Sequence, residues 1–136
     1  MARIVYIDDD EDLRTLAEGA LSARGHTVFG TNDGVEGVEL IEAQRPDLII
    51  LDTAVFKLDG VELCRRLKRH VKANKTPVIL LTAMTDAPTR LRGIESGGVM
   101  YMTKPFDVAD FEARVETLLA DKRGANDDPL KQRAPV

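Results

Sequence analysis

One feature constrains this chain above all others: short apolar runs rich in β-branched residues alternate with segments whose apolar residues recur at the helical period. Residues 4–7 (IVYI) read as the first strand. From Glu11 to Arg24, Leu13, Leu16, Ala17, Ala20 and Leu21 fall at i, i+3, i+4, i+7 and i+8, the stripe that one helix face buries. Gly25 then supplies a left-handed stop. Residues 27–29 form a weak second strand. Val35, Val38 and Ile41 mark a second helix, which must end before Arg45-Pro46 because proline disfavours helical backbone in the residue before it. Residues 47–51 give a third strand and residues 77–81 (PVILL) a fourth, apolar as strands buried on both faces are. Cys64, Leu67 and Val71 place a helix between them. Ala87, Leu91 and Ile94 place another before a fifth strand at residues 99–103. Val108, Phe111, Val115, Leu118 and Leu119 place the last helix. Five strands alternating with five helices predict an α/β, doubly wound parallel sheet with helices on both faces. The periodicity stops near Lys122, so a domain over residues 1–122 and a mobile tail over residues 123–136 are expected.

Composition narrows the class. The 136 residues suit one domain, and 43% hydrophobic with 31% charged residues is an ordinary globular balance. A single cysteine, Cys64, forms no internal bridge, which fits a reducing compartment and a cytoplasmic protein. No apolar run approaches the ~20 residues that span a bilayer, so no membrane partner is expected. The net charge of −4 argues against direct nucleic acid binding, because phosphate contacts need a basic face.

In doubly wound sheets the ligand crevice lies outside the carboxyl ends of the strands. This chain places Asp8-Asp9-Asp10 after strand 1, Asp52 after strand 3, Thr82 after strand 4, and Thr103-Lys104-Pro105 after strand 5. Carboxylates ~4 Å apart repel by several kcal/mol at an effective dielectric near 20, so such a cluster requires a cation or a shifted pKa. Hard oxygen ligands favour Mg²⁺. Each residue taken singly has a plainer use: helix-dipole partners for the acids after strand 1, a turn for Asp52, a cap for Thr82, a solvated charge for Lys104, and a helix start for Pro105. Their coincidence at four strand ends of one alternating fold carries the functional reading.

With IVYIDDDED, PDLIILD, the Asp59-Gly60 pair, PVILLTA and YMTKPF in this order and spacing, the chain resembles the receiver domains of bacterial two-component response regulators from about Arg3 to Lys122. The resemblance implies a flavodoxin-like sheet of order 2-1-3-4-5. It implies that Asp52 takes a phosphoryl group from a sensor histidine kinase or phosphotransfer protein. Asp9, Asp52 and the Ala54 carbonyl would bind Mg²⁺, with Asp8 acting through a bound water. Lys104 would pair with the phosphoryl group, Thr82 would donate its hydroxyl and shift, and Tyr101 would follow it inward. A cis Lys104–Pro105 bond is implied too. Output would be phosphorylation-dependent contact with a downstream protein, or a homodimer, through the face formed by the fourth helix, fifth strand and fifth helix. The protein would not be an enzyme beyond its self-catalysed phosphotransfer and dephosphorylation. Three departures stand out: Val55-Phe56 where the family has Met-Pro, Val99-Met100 where it has an acidic pair, and the added cation Lys57.

Two rival readings remain in view. An aspartyl-phosphate phosphatase would use Asp8 as nucleophile in an Asp-x-Asp-x-Thr motif, but Asp12 stands where threonine is needed. A phosphate-independent interaction module predicts the same fold without the chemistry. A flavin carrier is disfavoured, because the first loop is acidic where a phosphate cradle is rich in Gly, Ser and Thr. Two finer expectations concern the receiver itself. Ala54 and Met84 do not orient a water, so the acyl phosphate should be long-lived. Met100 and Met102 on the edge strand would offer an adaptable partner surface.

Overall fold

In the computed structural model, which describes residues 1–83 and 99–127, the elements run β1 (Arg3–Ile7), α1 (Glu11–Ala23), β2 (Thr27–Thr31), α2 (Gly34–Gln44), β3 (Leu48–Asp52), a 3₁₀ turn (Thr53–Val55), α3 (Phe56–Asn74), β4 (Val78–Ala83), β5 (Val99–Lys104) and α4 (Val108–Asp127). The strands form one parallel sheet in the order β2-β1-β3-β4-β5. The order reverses between β1 and β3, and a crevice opens beyond their carboxyl ends at that point.

Strand alternation sorts the core into two layers. On one face Val5, Ile7, Ile49, Leu51, Val78 and Leu80 meet Val38 and Ile41 of α2 and Leu63, Leu67 and Val71 of α3. On the other, Ile4, Tyr6, Leu48, Ile50, Ile79 and Leu81 meet Ala17 and Leu21 of α1 and Phe111, Val115 and Leu119 of α4. Fully burying each Val, Leu or Ile contributes about 1.5–3 kcal/mol, so both layers are needed to hold the sheet rigid beneath its loops.

Local signals set the helix ends. The Asp10 side chain caps α1 by accepting from the Leu13 N–H at 3.1 Å, and Asp33 caps α2 through the Glu36 N–H at 2.9 Å. Gly25, at φ 92, makes the left-handed turn after α1. Arg45 adopts φ 48 and ends α2 just before Pro46. Gly37 allows α2 to lie against β1, since a Cβ there would meet Ile7 Cδ1 at 2.3 Å.

The structure departs from the sequence pattern in several places. β2 runs on to Thr31 and β4 to Ala83, because ladder pairing continues past the apolar runs to Ile7↔Thr31 and Ala83↔Lys104. β3 starts at Leu48 instead of Asp47 and takes in Asp52, which pairs with Leu81. α3 starts at Phe56, well before Cys64. Leu16 is 54% exposed, so the buried arc of α1 is narrower than its apolar stripe. α4 continues to Asp127, so residues 123–127 are helical where the pattern alone assigns them to the tail. Each added residue of an existing helix closes one more hydrogen bond, which carries α4 past its apolar stripe. The expected helix around Ala87–Ile94 and the remainder of the tail lie outside the described residues.

Candidate functional site

The crevice is built from the residue that ends, or directly follows, each of three strands. Asp8 follows β1, and its N–H extends the ladder by donating to the Thr31 carbonyl at 3.0 Å. Its side chain is fully buried. Asp8 Oδ1 accepts from the Asp10 N–H at 3.0 Å and from Lys104 Nζ at 3.2 Å, while Oδ2 accepts from the Tyr6 hydroxyl at 3.3 Å. Arg14, one turn into α1, donates from Nη1 to the Asp8 carbonyl at 2.8 Å and so fixes the loop from the helix side. Asp52 ends β3 and is 4% exposed. Its Oδ1 accepts from the Ala54 N–H at 3.0 Å, and its Oδ2 accepts from Lys104 Nζ at 2.8 Å. The Lys104 ammonium, at the end of β5, therefore bridges two buried carboxylates. Pro105 follows through a cis bond.

Asp9 is exposed at the mouth, and one carboxylate oxygen each from Asp8, Asp9 and Asp52 lie within 4.8 Å of one another. Thr82 is buried on β4 opposite Thr103, one residue before the Ala83↔Lys104 pair. Tyr101 is half-buried on β5 and packs against the α2–α3 layer. Asp8, Asp9, Asp52 and Lys104 thus gather at the carboxyl end of the sheet, with Thr82 at the end of the neighbouring β4. The side chain of Asp59 and the whole of Met84 lie outside what is described. Met102 is core, 5% exposed, and so is not part of the expected adaptable surface, while Met100, turned to the same face by alternation, is half-buried against the α1–α4 layer.

The charges divide unequally. Burial, reinforced by Asp52, pushes the Asp8 carboxyl up to about 6, although the Asp10 amide and Lys104 pull the other way. Burial also raises Asp52, but hydrogen bonds from Lys104 and Ala54, with Asp8 and the Lys104 charge, outweigh it and hold this carboxyl below its usual range. Lys104 loses basicity to burial and regains more than that from Asp52 and Asp8, so it is held above its usual range. The Tyr6 hydroxyl is pushed far up by burial and then by Asp8, and it stays a donor. The result is an ionised Asp52 beside a cation, with Asp8 the readier proton carrier of the pair. An acidic, oxygen-only donor set with one open side fits a small hard divalent cation such as Mg²⁺. Tyr6 and Arg14 were not among the residues singled out from sequence. The signal for Tyr6 was its place two residues before Asp8, which strand alternation turns to the same face.

A five-stranded parallel sheet of this order, with a lysine-bridged acidic pocket at its carboxyl edge, defines a flavodoxin-like receiver. The chain belongs to the response regulator receiver domain family, whose model matches residues 4–116. It is 40% identical over 119 residues to the DNA-binding dual master transcriptional regulator RpaA of Synechocystis sp., covering 88% of this chain and 49% of that protein. It is 37% identical over 117 residues to the alkaline phosphatase synthesis transcriptional regulatory protein PhoP of Bacillus subtilis, covering 86% of this chain and 48% of that one. Among solved structures, the Francisella response regulator 1452 receiver domain superposes with a TM-score of 0.73 at 28% identity, covering 89% of this chain and 98% of that one. The chain spans about half the length of the curated relatives it matches. Among the described residues, no helix is long and apolar enough to cross a membrane.

Proposed function

We propose that this receiver is a phosphoacceptor switch: Asp52 takes a phosphoryl group from the phosphohistidine of a sensor histidine kinase or phosphotransfer protein, in the cytoplasm and with Mg²⁺. The observation that carries this reading is the state of Asp52, a nearly buried carboxylate kept ionised by Lys104 at 2.8 Å and beside two further acids. An Asp52 oxygen attacks phosphorus, the O–P bond forms as the N–P bond breaks, and the histidine ring leaves with the bond's electron pair. Asp9, Asp52 and the Ala54 carbonyl would hold the metal directly and Asp8 through a water. The ion supplies charge neutralisation for the phosphoryl oxygens in such an in-line transfer. Lys104 then gives up its hold on Asp52 Oδ2 and pairs with a phosphoryl oxygen as a compact point charge. The Thr82 hydroxyl donates to another.

The geometry favours Asp52 over Asp8 as nucleophile. Both carboxyls are buried and hydrogen-bonded at both oxygens, but Asp8 is raised in pKa while Asp52 is held low and ionised, the state a nucleophile needs. Movement of Thr82 toward the phosphoryl group frees space that Tyr101 fills from β5, and that packing change biases partner contacts at β5, α4 and the helix expected between β4 and β5. The partner is a downstream protein or a second copy. Incubation with Mg²⁺ and a small acyl-phosphate donor should add one phosphoryl group to the intact protein. None should be added with chelator, or to Asp52→Asn, in which the nearly isosteric amide is not a nucleophile. Undiminished labelling of Asp52→Asn overturns the reading.

A further inference from the structure

One buried hydroxyl beneath the pocket has no part in the chemistry above. The Tyr6 side chain is fully buried, and its ring meets Phe111 edge-on at 6.3 Å and 81°, with Phe111 stacked in turn on Phe106. Phenylalanine would fill that aromatic layer equally well, so packing accounts for the ring and not for the oxygen. The oxygen faces Asp8 Oδ2 at 3.3 Å. The other carboxylate oxygen, Oδ1, accepts from the Asp10 N–H and from Lys104. The two oxygens of Asp8 are thus held by different groups on opposite sides: Oδ2 from the core and Oδ1 from the pocket.

We propose that Tyr6 is a positioning residue for the cation site, holding Asp8 by Oδ2 so that Oδ1 stays turned toward Lys104 and the cation. The inference rests on the reading that Asp8, Asp9 and Asp52 hold Mg²⁺. A carboxylate pinned at one oxygen is pre-organised. Without the hydroxyl only the Oδ1 contacts from Asp10 and Lys104 hold the carboxylate, and an entering ion competes with Lys104 for it, so more of the ordering falls to the binding step. Donors behind metal-binding carboxylates act in this way.

The test is the Mg²⁺ dissociation constant by titration calorimetry, with thermal melts in chelator, for wild type, Tyr6→Phe and Tyr6→Leu. Tyr6→Phe should bind Mg²⁺ about tenfold more weakly, with a modest fall in its metal-free Tm from the hydrogen bond that buried Asp8 Oδ2 loses. Tyr6→Leu should show the same loss of affinity together with a lower Tm, because the ring is gone. In wild type, the Tyr6 hydroxyl proton should exchange slowly by NMR and shift on Mg²⁺ addition, a signature that a packing role alone does not produce. Mg²⁺ binding by Tyr6→Phe as tight as wild type, or a hydroxyl resonance indifferent to the ion, overturns the inference alone. A wild type that takes up no Mg²⁺ overturns it together with the function on which it rests.

Discussion

Replacing Asp8 with asparagine should stabilise the metal-free protein, and the pH dependence of that gain follows from the burial of one carboxyl. Asp8 is fully buried, and its pKa rises from 3.8 to about 6. A carboxyl whose folded pKa is raised favours the native state while protonated, and this contribution is lost as pH rises through the folded value. Two units correspond to about 3 kcal/mol of cost once the group is ionised. Asparagine keeps the size and an acceptor for the Asp10 amide and carries no charge at any pH. At pH 8 in chelator, Asp8→Asn should therefore be more stable by about 2–3 kcal/mol, which is about 6–10 °C in Tm for a chain of this length. Near pH 5 the native Asp8 is mostly protonated but the unfolded chain is already ionised, so about half of the gap should remain, and it should close only as pH falls below the unfolded value of 3.8. The variant keeps Lys104 and the Ala54 amide, the leading groups that hold Asp52 low, and loses the smaller share that Asp8 adds. Millimolar Mg²⁺ at pH 8 should narrow the gap from the other side by stabilising wild type more than the variant. Melts by circular dichroism at half-unit pH steps read all of this. A variant less stable at pH 8, or a gap that does not change with pH, refutes the reasoning.

Mg²⁺ should raise the wild-type Tm by mass action on the native state, and Asp9→Ala should abolish that response; equal shifts in the two proteins would contradict the assigned ligands. Met84→Glu combined with Ala54→Asn should speed loss of the phosphoryl group, followed by mass spectrometry, because either side chain orients a water that Ala54 and Met84 do not; an unchanged decay rate counts against it. Met84 lies outside the described residues, so this prediction rests on its place two residues after Thr82. Tyr101→Ala should leave phosphorylation nearly normal and weaken its effect on association, measured by sedimentation with and without phosphodonor; an effect of phosphorylation as strong as in wild type would remove Tyr101 from the path.

Much of this was legible in the residue pattern for a physical reason. A parallel sheet buried on both faces needs continuous apolar strands, so β1, β3 and β4 announce themselves, and the switch-point rule then collects Asp8, Asp52, Thr82 and Lys104 at one edge. The pattern reads poorly where the determinant is a neighbour in space. β2 looks weak in isolation because its strength is the Ile7↔Thr31 end of a ladder. Leu16 belongs to an apolar stripe yet stays exposed, since α1 lies on a sheet face that it shares with α4 and buries only Ala17 and Leu21. Met102 is core because alternation along β5 is fixed by its pairing with Leu81, which a composition argument about methionine ignores. The unequal charge of Asp8 and Asp52 was also beyond the sequence. Both are aspartates at strand ends; burial and the neighbouring Asp52 raise Asp8, while hydrogen bonds from Lys104 and the Ala54 amide hold Asp52 low.

The most direct measurement is the location of the phosphoryl group. The protein is incubated with Mg²⁺ and a small phosphodonor, the acyl phosphate is reduced with borohydride, and the peptides are sequenced by mass spectrometry. The account predicts the reduced residue at position 52. Modification at Asp8, or a protein that never acquires the label although folded and metal-loaded, contradicts it.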